Sequence, residues 1–468
     1  MESEGTEKTA EIPPENTMGR KTKKNSRDMT EGTIWKHIVL FAIPLLIGNF
    51  FQQLYNAVDS VVVGNYVSKQ ALAAVGSTGP VINTLVGFFM GLSTGAGVVI
   101  SHYFGKKDDE ELHEAIHTTV LMTFLLCVVM TIVGIAMVPF MVSFMKTPED
   151  VVRESTEYLR IYFAGVTGLM VYNMGSGILR AVGDSRRPLY FLCISSVINI
   201  VLDLVFVVAL DMGIAGVAWA TVISQVISAC MVLAVLMRTH ENYRLDLRDL
   251  HISVRILKRI CVIGFPAGLQ MAVTSFSNVF VQSYINRFGS ACMAGWTSYN
   301  KVDQFVILPM QSLSLAATTF VGQNVGAKQM DRADAGRKTA LRISIYVTVV
   351  LTIVLFAAAT PIIRLFTPDE EVLKYGRIFV QFMAPFYVCC CFNQITAGTL
   401  RGFGDANGPM IIMLCSFVLF RQIYLAVCTY LSNSIYVVAF AYPAGWIVCS
   451  LAIGFYYRKK KAYLKNAA

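Results

Sequence analysis

Charge is what this chain has little of. Only 15% of its 468 residues are Asp, Glu, Lys or Arg, against about 25% in a soluble globular protein, while 55% are hydrophobic. That balance argues against a soluble enzyme. The polar joints also lack cysteine: all 11 cysteines lie within or at the ends of apolar blocks, Cys389, Cys390 and Cys391 among them, so no disulfide framework or zinc spacing follows. No Gly-Lys-Ser/Thr phosphate-loop ending is present and no polar stretch could house a nucleotide-binding domain, so primary ATP hydrolysis by this chain is not expected. Residues 1–33 are polar and of mixed charge, with neither an apolar h-region nor a small-residue cleavage site; a disordered, retained cytoplasmic tail is expected rather than a signal peptide. His113 and His117 share a helix face, but no third ligand is near in sequence, so neither a metal centre nor a cofactor is expected.

What is present is a series of apolar blocks, each near the roughly 20 residues that cross a hydrocarbon core. Twelve spans are expected, at 38–65, 71–104, 115–145, 154–180, 187–210, 213–237, 257–288, 291–325, 339–366, 374–400, 408–431 and 434–457. With the N-terminus inside, most of the 39 Lys and Arg residues fall on one set of joints, whereas the other holds Lys69, Lys146, Arg153, Arg287, Arg364, Lys374 and Arg377. By the positive-inside rule both termini are cytoplasmic, in a multi-pass protein of the inner (cytoplasmic) membrane. The net charge of +9 is explained by this distribution along the span ends, and no nucleic-acid partner is expected.

The chain is duplicated. Residues 177–188 recur at 398–409 with Gly, Leu-Arg, Gly-Asp and Pro in register, an offset of 221, and Thr147-Pro148 matches Thr367-Pro368 near the same offset. Six spans per repeat is an even number, so both repeats enter the membrane in the same direction, as parallel repeats about an axis along the membrane normal. The expected units are a tail at 1–33, a six-helix N-terminal lobe at 34–238, a cytoplasmic linker at 239–256, a six-helix C-terminal lobe at 257–458 and a basic tail at 459–468. Two bundles of this kind suit a carrier with its path between them; a channel or sensor built by duplication is the alternative from another class.

Ionisable groups deep in a span are costly and point to function. The first repeat has two, Asp59 and Asp203, and Asn199 lies one helical turn before Asp203 on the same face. At about 1.5 Å per residue from the distal span ends, Asp59 lies about 9 Å deep, Asp203 about 10 Å, Thr221 about 12 Å and Asn199 about 16 Å. Four polar groups from three spans at one level form a shell suited to Na⁺ or to a proton. Interhelical hydrogen bonding would account for Asn199 or Thr221 alone; two acids without a matching deep base are not so explained. In the second repeat the deep charges are Lys301, Asp303 and Arg421, and Asp303 is expected to pair with Arg421 as a structural link. Pro44 and Pro266 sit early in spans one and seven, where each can kink its helix.

The stretches Tyr55–Ser60 with Gly64, Ile198–Asp203, Leu179-Arg180 with Gly183-Asp184, Leu400-Arg401 with Gly404-Asp405, and Gly322–Ala327 resemble the bacterial multidrug and toxic compound extrusion (MATE) family over residues 34–458. The resemblance implies an all-α membrane protein of twelve helices in a V-shaped pair of six-helix lobes. It implies a secondary active antiporter that exports organic cations or amphipathic drugs in exchange for H⁺ or Na⁺, with Asp59, Asn199, Asp203 and Thr221 as its coupling site. Tyr55, Asn56, Asn173, Asn278 and Gln304 are candidate polar contacts to substrate in the cleft. Some branches of the family carry acids in spans seven and ten, which this chain lacks, so coupling is expected from the first lobe. The alternative function is a lipid or lipid-linked oligosaccharide flippase of the same superfamily. A monomer is expected, with the bilayer and a small amphipathic molecule as its partners.

Overall fold

The computed structural model describes residues 28–145, 147–432 and 434–467, and within these all regular structure is helical. Backbone donors and acceptors have no water to bond in hydrocarbon, and helices satisfy them within the segment. The first lobe comprises α1 (Ile34–Tyr66), α2 (Lys69–Lys106), α3 (Asp109–Phe144), α4 (Glu149–Ala164, resuming as Val166–Ala181), α5 (Arg186–Ala209) and α6 (Gly213–Arg238). The second comprises α7 (Val254–Asn286), α8 (Ser290–Gly326), α9 (Met330–Ala357, then Ala359–Arg364), α10 (Glu370–Gly402), α11 (Asn407–Leu431) and α12 (Ile435–Ala467). Among the described residues, eleven of these contain a helix long and apolar enough to cross a membrane. The fourth is divided at Gly165, where a Cβ would overlap the Val222 side chain of α6. Large apolar side chains such as Phe140, Phe144, Leu419, Leu451 and Phe455 are exposed, as suits a surface solvated by lipid.

The duplication is visible in the backbone. Lys107 and Lys328, 221 residues apart, end α2 and α8 in the left-handed conformation at φ 59°. Gly183 and Gly404 do the same after α4 and α10, at φ 88° and 85°. Each turn closes with a bond from the residue after the left-handed one back into the helix's last turn: Asp108 N to Tyr103 O, Gln329 N to Asn324 O, Asp184 N to Leu179 O and Asp405 N to Leu400 O. Packing repeats as well. Ser93 Oγ donates to Asn173 O at 3.0 Å across α2 and α4, and Ser314 Oγ donates to Gln394 O at 2.7 Å across α8 and α10.

The end of the bundle that carries both termini is here called basal, the other distal. The lobes meet in the basal half. A Cβ on Gly91 or Gly95 of α2 would overlap the main chain of Gly268 or Gly264 of α7, so only glycine lets these helices cross this closely. At the basal end His102 Nε2 bonds Gly402 O at 2.7 Å, and Gln323 Nε2 donates to Ala181 O at 2.9 Å. Toward mid-depth the contacts between α1 and α8 are Asn49 Nδ2 with Ser312 Oγ at 3.5 Å and the Phe50–Phe305 ring pair at 6.0 Å. Beyond this level the lobes part. Asn56 lies seven residues past Asn49, and Asn278 continues the stripe of Gly264, Gly268 and Met271; both therefore face the opposite lobe, yet both are exposed. The result is a V open at its distal end.

Two expectations about the tails are corrected. Residues 1–27 lie outside the described residues, but 28–33, assigned to a disordered tail, are tucked under the V. Met29 is 2% exposed; its N donates to Gln323 Oε1 at 2.9 Å and its O accepts from Asn324 Nδ2 and Arg332 Nη2, while Asp28 pairs with Lys107 at 3.7 Å. Composition could not show this, because one apolar residue in a polar stretch carries no periodic signal. The basic stretch from 459, expected as a separate tail, is continuous with α12, which runs on to Ala467. Its Lys461 pairs with Asp334 of α9 at 2.7 Å.

Candidate functional site

In the first lobe α5 packs against both α1 and α6, which brings the acids of separate spans together. The carboxyl groups of Asp59 and Asp203 are neighbours that interact with each other, Asp59 half-buried. Asn199 and Asp203 are 1% and 0% exposed, and Thr221 of α6 is also buried. Asp59 Oδ1, both carboxyl oxygens of Asp203, both amide atoms of Asn199 and the Thr221 hydroxyl are buried without a hydrogen-bond partner. Each such group costs about 1–3 kcal/mol when left unsatisfied, so a cluster of them marks a place where folding has been subordinated to something else. Two carboxylates in contact repel when both are charged, and a proton or a small monovalent cation between them removes that repulsion. The amide and hydroxyl oxygens of Asn199 and Thr221 are hard donors of the kind that complete a Na⁺ shell.

Local structure sets the site's position. The six residues after Asp203, Leu204–Ala209, form a π-helical turn, a distortion frequent at functional sites. Pro44 lies inside α1 upstream of Asp59. Sequence reading missed the aromatic wall. Tyr158 of α4 lies within electrostatic range of Asp59, Asp203 and Tyr55, and Tyr162 lies beside Tyr158 and Tyr55. The only signal available was their spacing of four in an amphipathic segment, which core packing explains equally well.

The candidate substrate contacts do not form one group. Asn56 faces the cleft and is exposed, and Gln304 is exposed beside Phe305, which touches Phe50 of the other lobe. Tyr55 belongs to the acid site, near Asp59 and Gln52. The Asn173 side chain turns to its own helix, donating to Leu169 O at 2.9 Å. Asn278 accepts at Oδ1 from Arg421 Nη2 at 2.9 Å.

The MatE family model matches residues 44–205 and 266–443, one block in each lobe. The chain belongs to the MatE family. Among its MatE relatives, the probable multidrug resistance protein YoeA of Bacillus subtilis is 30% identical over 94% of this chain and 96% of its own length. The probable multidrug resistance protein YpnP of the same organism is 28% identical over 85% and 89%. A solved structure described as the outward-facing conformation of a multidrug resistance MATE family transporter of the MOP superfamily superposes with a TM-score of 0.89. It is 24% identical and covers 94% of this chain and 99% of its own.

In the second lobe of this MatE chain the expected pairing of Asp303 with Arg421 is not made. Asp303 Oδ1 accepts from Tyr299 Oη at 3.0 Å and from Tyr387 Oη at 2.5 Å, with Trp296 packed at a tilt against Tyr299 and Trp446 against Tyr387. Arg421 Nη2 instead donates to Ser277 Oγ at 3.0 Å and Asn278 Oδ1 at 2.9 Å, and its guanidinium lies 4.6 Å from the Tyr442 ring centre. The reason is direction. Asp303 lies half a turn from the Phe305–Ser312 stripe that faces α1, so it points toward α10, whereas Arg421 turns to α7.

Proposed function

We propose that this protein is a secondary active antiporter of the cytoplasmic membrane that exports amphipathic organic compounds, organic cations among them, in exchange for H⁺ or Na⁺. The observation that carries the reading is the pair of neighbouring carboxylates, half-buried Asp59 and buried Asp203, at span level among unsatisfied amide and hydroxyl groups. The multidrug resistance proteins among its relatives support export as the direction and drug-like molecules as the cargo.

The basal end, with both termini, is placed in the cytoplasm, so the V is open to the outside. In this state cargo leaves as an ion enters the acid site. Helix α1 links the two events. It carries Asp59, contains Pro44, and touches the second lobe through Asn49 and Phe50. Neutralising the carboxylate pair lets α1 and α5 approach, and that movement passes to the α1–α8 contact. Ion release to the cytoplasm then accompanies loading of cargo from the cytosol or inner leaflet. The test is reciprocal flux: adding a fluorescent organic cation to reconstituted vesicles should drive counter-movement of H⁺ or Na⁺ against no imposed gradient. Cargo movement without any ion movement would remove antiport from the account and favour a flippase.

A further inference from the structure

The polar cluster of the second lobe occupies the place that the acids hold in the first. Arg421 lies 14 residues into α11, between the positions that Asn199 and Asp203 take in α5, 13 and 17 residues in. Tyr442 lies seven residues into α12, where Thr221 lies eight residues into α6, and Asn278 of α7 matches Asn56 of α1. A π-helical turn borders the charged residue in both lobes, Leu204–Ala209 after Asp203 and Cys415–Phe420 before Arg421. The position is thus repeated and its charge reversed.

Arg421 lies about 15 Å from the distal end of α11, well inside the hydrocarbon. Its side chain is buried, 3% exposed, and Nε has no partner. Its bonding partners are neutral, Ser277 Oγ and Asn278 Oδ1, with the Tyr442 face against its plane, and among the described residues no carboxylate lies within ion-pair distance. A structural arginine at this depth is ordinarily paired with an acid, because an uncompensated charge in hydrocarbon is costly. One side of the cluster reaches the cleft: Asn278 lies on the stripe of α7 that faces the first lobe and is exposed, and the Tyr442 hydroxyl bonds the same Asn278 oxygen at 3.4 Å. With Nη2 held by Ser277 and Asn278, the unpartnered Nε–H leaves the guanidinium a donor for a charge-assisted bond to a carboxylate.

We infer that Arg421, framed by Asn278 and Tyr442, is a binding site in the second lobe for the carboxylate of a zwitterionic or anionic organic substrate. The inference rests on the export reading above and deepens it by assigning a contact for the substrate's carboxylate. It is tested by equilibrium binding to the full-length protein in lipid nanodiscs, with a xanthene dye used in its free-carboxylate form and as its methyl ester. The carboxylate-to-ester affinity ratio should fall about 10- to 100-fold in Arg421→Gln, the range of a lost charge-assisted contact, and by much less in Arg421→Lys. Ser277→Asp supplies an internal carboxylate to the guanidinium and should lower the ratio in the same direction, which gives a reading if Arg421→Gln does not fold. An unchanged ratio in the folded variants overturns the inference and leaves export standing, provided that wild type binds the ester. A wild type that binds neither dye overturns the inference together with the export reading.

Discussion

Replacing Asp203 by Asn should make the protein more stable while abolishing its response to the coupling ion. The substitution keeps the side chain's size, removes one of two neighbouring charges and offers Asp59 an amide donor. Two full charges about 4 Å apart repel by about 4 kcal/mol at an effective dielectric of about 20. Side-chain adjustment and partial neutralisation absorb part of this, so a gain of about 2 kcal/mol is expected in ion-free buffer. In a chain of this size that is a rise of a few degrees in Tm. Wild type should recover the difference when the ion is supplied, since a ligand at 100 times its Kd stabilises by about 2.7 kcal/mol. The assay is thermal unfolding of purified protein, followed by intrinsic fluorescence, with Na⁺ titrated at constant ionic strength and then with pH lowered in its absence. The argument predicts a high, flat Tm for Asp203→Asn and a lower, ion-responsive Tm for wild type. A variant that melts below wild type and still responds to the ion would refute it.

Three further outcomes follow from other contacts. Gly264→Leu places a side chain against the α2 main chain at Leu92 and should separate the lobes; transport should be lost although the protein still inserts, and the distance between spin labels at Glu110 and Lys328, one in each lobe, should lengthen. Truncation to Thr33 removes the Asp28–Lys107 and Met29–Gln323 contacts that join the lobes basally, so the distance distribution between spin labels at Glu110 and Lys328 should lengthen or broaden; an unchanged distribution would show that the segment only rests there. Asp303→Asn weakens two phenolic hydrogen bonds to a charged acceptor, each of about 1.5–3 kcal/mol, and should lower Tm by several degrees without changing the ion response, a separation that thermal unfolding with and without ion reads directly.

Sequence carried much of this architecture because the membrane makes hydropathy decisive. The twelve spans, the parallel duplication and the acid cluster follow from block length, self-similarity and the cost of burying charge. Contacts that depend on side-chain direction were not legible. Asp303 and Arg421 are at comparable depth and of opposite sign, but helical phase sends one to tyrosines of α8 and α10 and the other to α7. The aromatic wall of Tyr158 and Tyr162 was hidden for a similar reason: at a spacing of four, core packing and site lining look alike. Gly165, which divides α4, reveals its purpose only through its contact with Val222 of another helix.

The central claim is that the Asp59–Asp203 pair couples an inward ion gradient to outward movement of cargo. It is tested most directly by efflux of a fluorescent organic cation from reconstituted vesicles under a Na⁺ gradient and a pH gradient imposed separately, in wild type and in Asp59→Asn. The account predicts efflux driven by one of the two gradients in wild type and lost in the variant. Gradient-driven efflux that survives Asp59→Asn, or no response of folded wild type to either gradient, would contradict it.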